Sequence, residues 1–510
     1  MPEGFHCGVR RQVRGTSNPA GEVLRGHPDN RLTPGPGDDH TPLMAASHFE
    51  RLTALDAAFL EIEDENCPMH VGAVAIFDPG PLALPEGGFD IERFTKFVES
   101  VLAPRYRQRL DWMPVTGDPV WVDDAHFNLH YHVRHLSLPH PGDERLLKRL
   151  AGHVVSLPLD RNKPLWELWV VEGLAHGRFA VITKTHHCMV DGVGTSDLMT
   201  ASMQIRPDAS VSEPKPWTAR PAPGALGMAA RELRRRAGMG LSALGAAADS
   251  VTNPLGAVSA VSEGVAGLGE TLGAAMHRVS DTPFNIEIGP HRRFDWLRYD
   301  LDEVKEVKNQ LGGTVNDVVL ANVAGALRSF LIQRGEDVSD LDFRAMVPVN
   351  IRTENDSGQF GNRVATVAPP LPLGEPDPRQ RLARVVETMG KVKASRQVGG
   401  MEMMAEIGEW GLTRLFTQFA RLTAISRPFN VVVTNVPGPQ IEAYLLGSPL
   451  REAYPLVPLF KNQALGIALF SYHGGLFWGL NADWDALPDL HTLVEALAHD
   501  FQELKKAAQA

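Results

Sequence analysis

The stretch Thr183-Lys184-Thr185-His186-His187-Cys188-Met189-Val190-Asp191-Gly192-Val193-Gly194 holds the residues best suited to chemistry. A β-rich run ends in two histidines, a short apolar turn follows, and Asp191-Gly192 closes it before a helix expected to begin near Thr195. A histidine can take a proton at neutral pH, provided its ring is fixed in one tautomer. His187 is the candidate base. Asp191, four residues on in a tight bend, can orient the ring or brace the loop. Gly192 and Gly194 supply turn conformations that a Cβ resists.

Plainer readings stand beside this one. A His-His pair at a strand end can be a packing or surface pair. Two histidines and an aspartate are acceptable zinc ligands, but neighbouring strand residues point to opposite faces, so His186 and His187 cannot easily share one ion. The histidines between 126 and 140 show no two-His-one-carboxylate spacing either, and no metal is expected. Cys188 could act as a nucleophile, yet nothing distinguishes it from a buried cysteine.

The elements that must carry these residues follow from periodicity and turn signals. Before the histidines, helices are expected over 51–60 and 94–102, and strands over 70–77, 128–138, 166–171 and 179–185. In the 128–138 strand His130 and His132 would share one face and His135 the other. Pro214, Pro216, Pro221 and Pro223 open a linker, and the Ala- and Gly-rich stretch 225–276 carries the cationic cluster Arg231, Arg234, Arg235 and Arg236. Beyond Arg292, helices are expected over 301–311, 315–333, 377–398 and 401–424, and strands over 344–349 and 429–434. A hairpin pairs 465–471 with 476–480, and a last helix starts near Asp489. Strands alternating with helices predict an α/β or α+β layered architecture.

Composition sets the outer limits. A chain of 510 residues corresponds to roughly three domains or two large ones. Its 43% hydrophobic and 22% charged residues are ordinary globular values. The net charge of −11 argues against a nucleic-acid partner. Cys7, Cys67 and Cys188 are scattered and odd in number, which suits a reducing compartment. Residues 1–43 contain no apolar signal core and read as a disordered extension, or as sequence upstream of a working start at Met44. No run of about 18 apolar residues suggests a spanning helix.

The His186-His187-Cys188-Met189-Val190-Asp191-Gly192 segment resembles the HHxxxDG motif of the CoA-dependent acyltransferase superfamily. Pro164-Leu165-Trp166 resembles a PLW motif, Asn316-Asp317 an ND motif, and Thr434-Asn435-Val436-Pro437-Gly438-Pro439 an SNVPGP motif with Thr for Ser. Together, in this order, they resemble the bacterial wax ester synthase/acyl-CoA:diacylglycerol acyltransferase family. The resemblance implies two chloramphenicol-acetyltransferase-like domains, 44–213 and 286–510, joined by a crossover over 214–285, with the active site at their interface. It implies transfer of a long-chain acyl group from acyl-CoA to diacylglycerol or a fatty alcohol, with His187 as base, His186 and Asn316 supporting, Asp191 and Gly192 shaping the loop, and no acyl-enzyme. Pro164, Leu165, Trp166, Asp317, Thr434, Asn435, Pro437 and Gly438 would contact substrate, although Pro164-Leu165-Trp166 taken alone reads as core, and Asn316 and Asp317 as residues that hydrogen-bond a helix end. No cofactor is implied, acyl-CoA being a substrate. Another alcohol acceptor, such as a polyketide diol or a sugar, or a non-catalytic member that binds acyl chains or a carrier, remains an alternative. Arg105, Arg107 and Arg109 could meet CoA phosphates, but a solvated face is the default expectation. A neutral-lipid substrate and the Arg231–Arg236 cluster suggest a cytoplasmic protein in peripheral contact with the inner membrane or with lipid inclusions.

Overall fold

The computed structural model describes residues 47–114, 116–190, 198–252, 273, 277–350, 364–394 and 428–510. The extension 1–43, the helix expected at 401–424, and the residues Asp191, Gly192 and Gly194 lie outside them. The strands in chain order are β1 (Glu50–Arg51), β2 (His70–Phe77), β3 (Gln108–Trp112), β4 (Pro119–Asp123), β5 (Val133–Ser137), β6 (Trp166–Glu172), β7 (Phe179–His186), β8 (Arg292–Asp300), β9 (Ala345–Asn350), β10 (Val364–Val367), β11 (Val431–Pro437), β12 (Tyr444–Leu445), β13 (Ser448–Leu456), β14 (Leu465–Tyr472) and β15 (Gly475–Asp483). The longer helices are α1 (Ala54–Ile62), α2 (Ile91–Val101), α3 (Glu144–Ser156), α4 (Ala225–Thr252), α5 (Leu301–Leu311), α6 (Val315–Gln333), α7 (Pro378–Ala394) and α8 (Leu490–Gln509).

Two six-stranded mixed sheets organise these elements, in the orders β12-β13-β2-β7-β6-β5 and β10-β9-β11-β14-β15-β8, beside a small sheet β1-β4-β3. The first sheet does not follow the division of the chain at the linker. Its strand β13 comes from the C-terminal half and pairs antiparallel with β2, setting Pro455 opposite Ala73 and Tyr454 opposite Val74. The same strand touches the second sheet. A Cβ on Gly479 of β15 would lie 1.9 Å from the Pro455 carbonyl oxygen, so only glycine lets the two sheets approach this closely.

Local sequence explains the ends of the elements that matter for the site. The Thr53 side chain caps α1 by accepting from Asp56 N at 3.1 Å. Thr314 and Asp317 form a reciprocal capping box at the start of α6. Helix α6 is long and apolar enough to cross a bilayer by composition. It is instead a core helix, buried from Asp317 to Leu327 against the second sheet's core.

The expected strand over 128–138 is corrected to a helical turn, Leu129–His132, followed by the short β5. The Asn128 side chain accepts from His130 N at 3.0 Å, which turns the chain, and the His132 ring stacks 4.6 Å from Trp166. His132 is thus a core histidine with Nδ1 held 2.8 Å from the Trp166 carbonyl. Strands β3, β4, β8 and β13 and helix α3 have no counterpart in the sequence reading.

Candidate active site

Strand β7 pairs with β2 so that His186 stands opposite His70, and a single helical turn, His187–Met189, follows. Four hydrogen bonds fix this turn. His186 N donates to Leu165 O at 2.9 Å, His187 N to Met69 O at 2.8 Å, Val190 N to His187 O at 3.1 Å, and Cys188 N to His186 Nδ1 at 3.1 Å. With Nδ1 an acceptor, the proton of a neutral His186 ring resides on Nε2.

The two histidines have different surroundings. His186 is buried beside His70. Its Nε2 lies 3.3 Å from Glu63 Oε1, at ion-pair distance but off the line of a hydrogen bond. The other Glu63 oxygen takes two bonds from Arg161, at 2.6 and 3.1 Å, and Oε1 also accepts from Met69 N at 3.1 Å. Burial pushes the Glu63 carboxyl upward, but His186 and Arg161 outweigh it and hold the pKa at about 2. Glu63 therefore grips both sides of the histidine turn, through His186 and through Met69, whose carbonyl receives His187 N.

His187 stacks on Phe59 of α1, with ring centroids 3.8 Å apart and planes 18° apart. Phe59 packs against both large hydrophobic cores, so the turn sits on the seam between the halves of the molecule. Burial lowers the His187 pKa to about 4, and the nearby His186 acts in the same direction. At neutral pH the ring is in its proton-accepting form. Burial also lowers His70 to about 3, with the Lys184 cation adding to it. The Cys188 thiol is pushed well above its ordinary value by burial, which removes it as a nucleophile.

The other sequence-selected residues fall into two groups. Pro164, Leu165 and Trp166 lie behind the histidine turn rather than in a site. Leu165 and Trp166 are buried in the first core, the Trp166 Nε1 donates to Tyr106 O at 2.7 Å, and Leu165 contributes the carbonyl that anchors His186. This burial fits the core reading of Pro164-Leu165-Trp166, with the Trp166 ring enclosed and its one donor satisfied. Asp317 is likewise a helix cap, its Oδ2 accepting from Thr314 N and Oγ1, each at 2.8 Å. Asn316 is half-buried at the first turn of α6, and its side chain makes no hydrogen bond among the described residues.

Thr434 and Asn435 follow one another on β11 and are both half-buried. As neighbours on a strand they point to opposite faces. Pro437 and Gly438 end the strand, with Gly438 N donating to Ser471 O at 2.9 Å. A Cβ on Gly438 would meet the Phe470 ring at 2.3 Å, so this glycine admits a close approach. None of Asn316, Thr434 or Asn435 hydrogen-bonds to the histidine turn among the described residues. Arg107 is a second correction. It is buried, with its guanidinium 5.4 Å from the Trp217 ring centroid, whereas Arg105 pairs with Glu50 at 2.5 Å.

Phe59, Glu63, Met69, His70 and Arg161 escaped the sequence reading. No short motif links them to His187; they meet it only because β2 lies against β7 and α1 covers the turn.

Comparisons with known proteins show what the chain is similar to. Residues 52–319 match the wax ester synthase/diacylglycerol acyltransferase catalytic domain, and residues 360–505 match the WS/DGAT C-terminal domain. The chain is 34% identical over 468 residues to the probable diacylglycerol O-acyltransferase tgs2 of Mycobacterium tuberculosis, covering 89% of this chain and 98% of that one. The wax ester synthase/diacylglycerol acyltransferase from Marinobacter aquaeolei VT8 shares the fold with a TM-score of 0.64 and 26% identity, over 90% of this chain and 100% of that one. The first condensation domain of the CDA synthetase is similar in fold alone, with a TM-score of 0.54 and 16% identity over 90% and 97% of the two chains.

Proposed function

The chain belongs to the wax ester synthase/diacylglycerol acyltransferase family, and from that premise we propose that it moves a long-chain acyl group from acyl-CoA to diacylglycerol, a long-chain alcohol, or both. The observation that carries this reading is a neutral, half-buried histidine presented on a hydrogen-bonded turn at the seam between the two halves. His187 takes the proton of the acceptor hydroxyl as that oxygen attacks the thioester carbonyl. The tetrahedral oxyanion collapses, the carbon–sulfur bond breaks, and His187 returns its proton to the CoA thiolate. Atoms and charge balance without an acyl-enzyme, and no metal or redox group takes part in any step. His186 and Glu63 hold the turn rather than the substrate. Incubating the purified chain with palmitoyl-CoA and a panel of alcohols and diacylglycerol tests this. Release of CoA with a matching ester mass is expected for diacylglycerol or hexadecanol; no ester with any alcohol would leave a binding role in its place.

We also propose peripheral contact with a lipid surface through α4. Of its four clustered arginines, Arg235 and Arg236 bind Glu232 at 3.0 and 2.6 Å and Arg231 bonds Ser47, which leaves Arg234 without a polar partner among the described residues. Leu226 and Leu233, 88% and 71% exposed, are seven residues apart and so share a helix face. Exposed leucines beside a free cation suit an interface of acyl chains and anionic headgroups. The double variant Leu226→Asp, Leu233→Asp should float less with anionic vesicles while CoA release with a short soluble alcohol stays unchanged. Equal flotation of the variant and the parent would remove this contact surface.

A further inference from the structure

A cleft of about 530 Å³ opens where α3 meets β8 and the end of β5, and no residue of the histidine turn lines it. Its floor is apolar, formed by Leu136, Leu138, Leu146 and Leu150. Trp484 makes one wall and is held in place by Arg293, whose guanidinium lies 3.7 Å from the ring centroid. Helix α3 is fixed to β8 by the bond from Arg292 N to Ser156 Oγ at 2.9 Å, so the walls are preformed. Both the volume and the mostly apolar lining are those of a small-molecule site.

The charge around the cleft narrows the ligand. Not one lining residue is acidic, although the chain as a whole carries a net charge of −11. Arg149, exposed at the rim, makes no ion pair or hydrogen bond among the described residues. The imidazoles of His153 and His291 line the same cleft and offer further N–H donors. Arg292 is different: its guanidinium is occupied by the carbonyls of Gly289 at 2.6 Å and His291 at 3.0 Å. What stands open is one uncompensated guanidinium above four leucines, a match for an apolar chain ending in an anion.

We propose that this cleft is a second lipid site, distinct from the catalytic turn, which takes a single-chain fatty carboxylate with its chain along the leucines and its head on Arg149. The site goes beyond the acyl-transfer reading and stands or falls independently of it. Calorimetric titration of the full-length chain with laurate below its micellar concentration tests it. The parent should bind laurate, and both Arg149→Glu and Leu150→Trp, the second of which fills the cleft, should weaken binding on the order of tenfold or more. Dodecanol, equal in chain but uncharged, should bind Arg149→Glu about as it binds the parent. Both variants should keep the parent's thermal midpoint and its CoA release with a soluble alcohol. Failure of the parent to bind laurate, or laurate binding that neither variant changes, would overturn the proposal. So would an equal loss of dodecanol and laurate binding in Arg149→Glu. Loss of lauroyl-CoA binding in Arg149→Glu with laurate binding intact would assign the arginine to CoA phosphates and also overturn it.

Discussion

His187→Ala should lower turnover on the order of 10²–10⁴-fold, the usual contribution of a positioned general base, while leaving the secondary structure and thermal midpoint close to the parent's. His186→Ala should cost less in the chemical step, because His186 accepts from Cys188 N and faces Glu63 rather than the seam. The pH dependence separates a base from a merely buried ring. With a pKa lowered to about 4 by burial, His187 stays neutral as pH falls from 7 to 5, so activity per folded molecule should persist well below the ordinary histidine range. Its acid limb should lie near pH 4. The sign for stability runs the other way. A depressed histidine favours the native state above its unfolded value of 6.5, and that contribution is lost as pH drops toward 4, so circular dichroism must accompany each rate. Phe59→Ala lets water reach the ring that Phe59 now covers at 3.8 Å. It should move the acid limb upward toward 6.5. Equal turnover in the parent and in His187→Ala would remove His187 as the base.

Much of this arrangement is legible in the sequence because local signals happen to coincide with the tertiary ones. Helices α5 and α6 follow from an apolar period of about 3.6 bounded by Asp300 and Thr314 caps. Strand β2 matches its expected span, and β7 exceeds its by one residue. What stayed hidden is non-local. Strand β13 carries Pro449 and Pro455, which read as loop. It is a strand because β2 supplies its pairing partner across nearly four hundred residues of chain, a contact that no propensity encodes. The site divides in the same way. His186 and His187 announce themselves by type and spacing, whereas the Leu165-Trp166 pair, readable as core or as pocket lining, lies in the core behind the turn. Residue type alone does not say on which side of a strand a side chain will be needed.

Glu63 is the residue whose replacement should be felt most widely, although no motif points to it. Its two oxygens gather Met69 N, the Arg161 guanidinium and the neighbourhood of His186 Nε2. Glu63→Ala leaves His186 and the buried end of Arg161 facing no carboxylate. Breaking a fully buried pair from one side costs ~3–5 kcal/mol. Because the Arg161 side chain is 39% exposed, water can replace part of the loss, and a cost of ~1–3 kcal/mol is the better expectation. The carboxyl's pKa, held at about 2, gives the pH sign: its contribution is present above its ordinary 4.5 and disappears as pH falls toward 2. The destabilisation by Glu63→Ala in urea should therefore be full at pH 7 and shrink below pH 4. Glu63→Gln keeps an acceptor for Met69 N but turns an amide toward Arg161 or His186. It should retain most of the stability yet lower kcat by ~10–100-fold, by analogy with the loss seen when an orienting partner of a functional histidine is removed. KM should barely move, because Glu63 touches the turn and not the substrate. If Glu63→Gln kept full kcat, the carboxylate would be bracing the fold alone, and the orientation of His187 would rest on the Met69 carbonyl and the Phe59 ring.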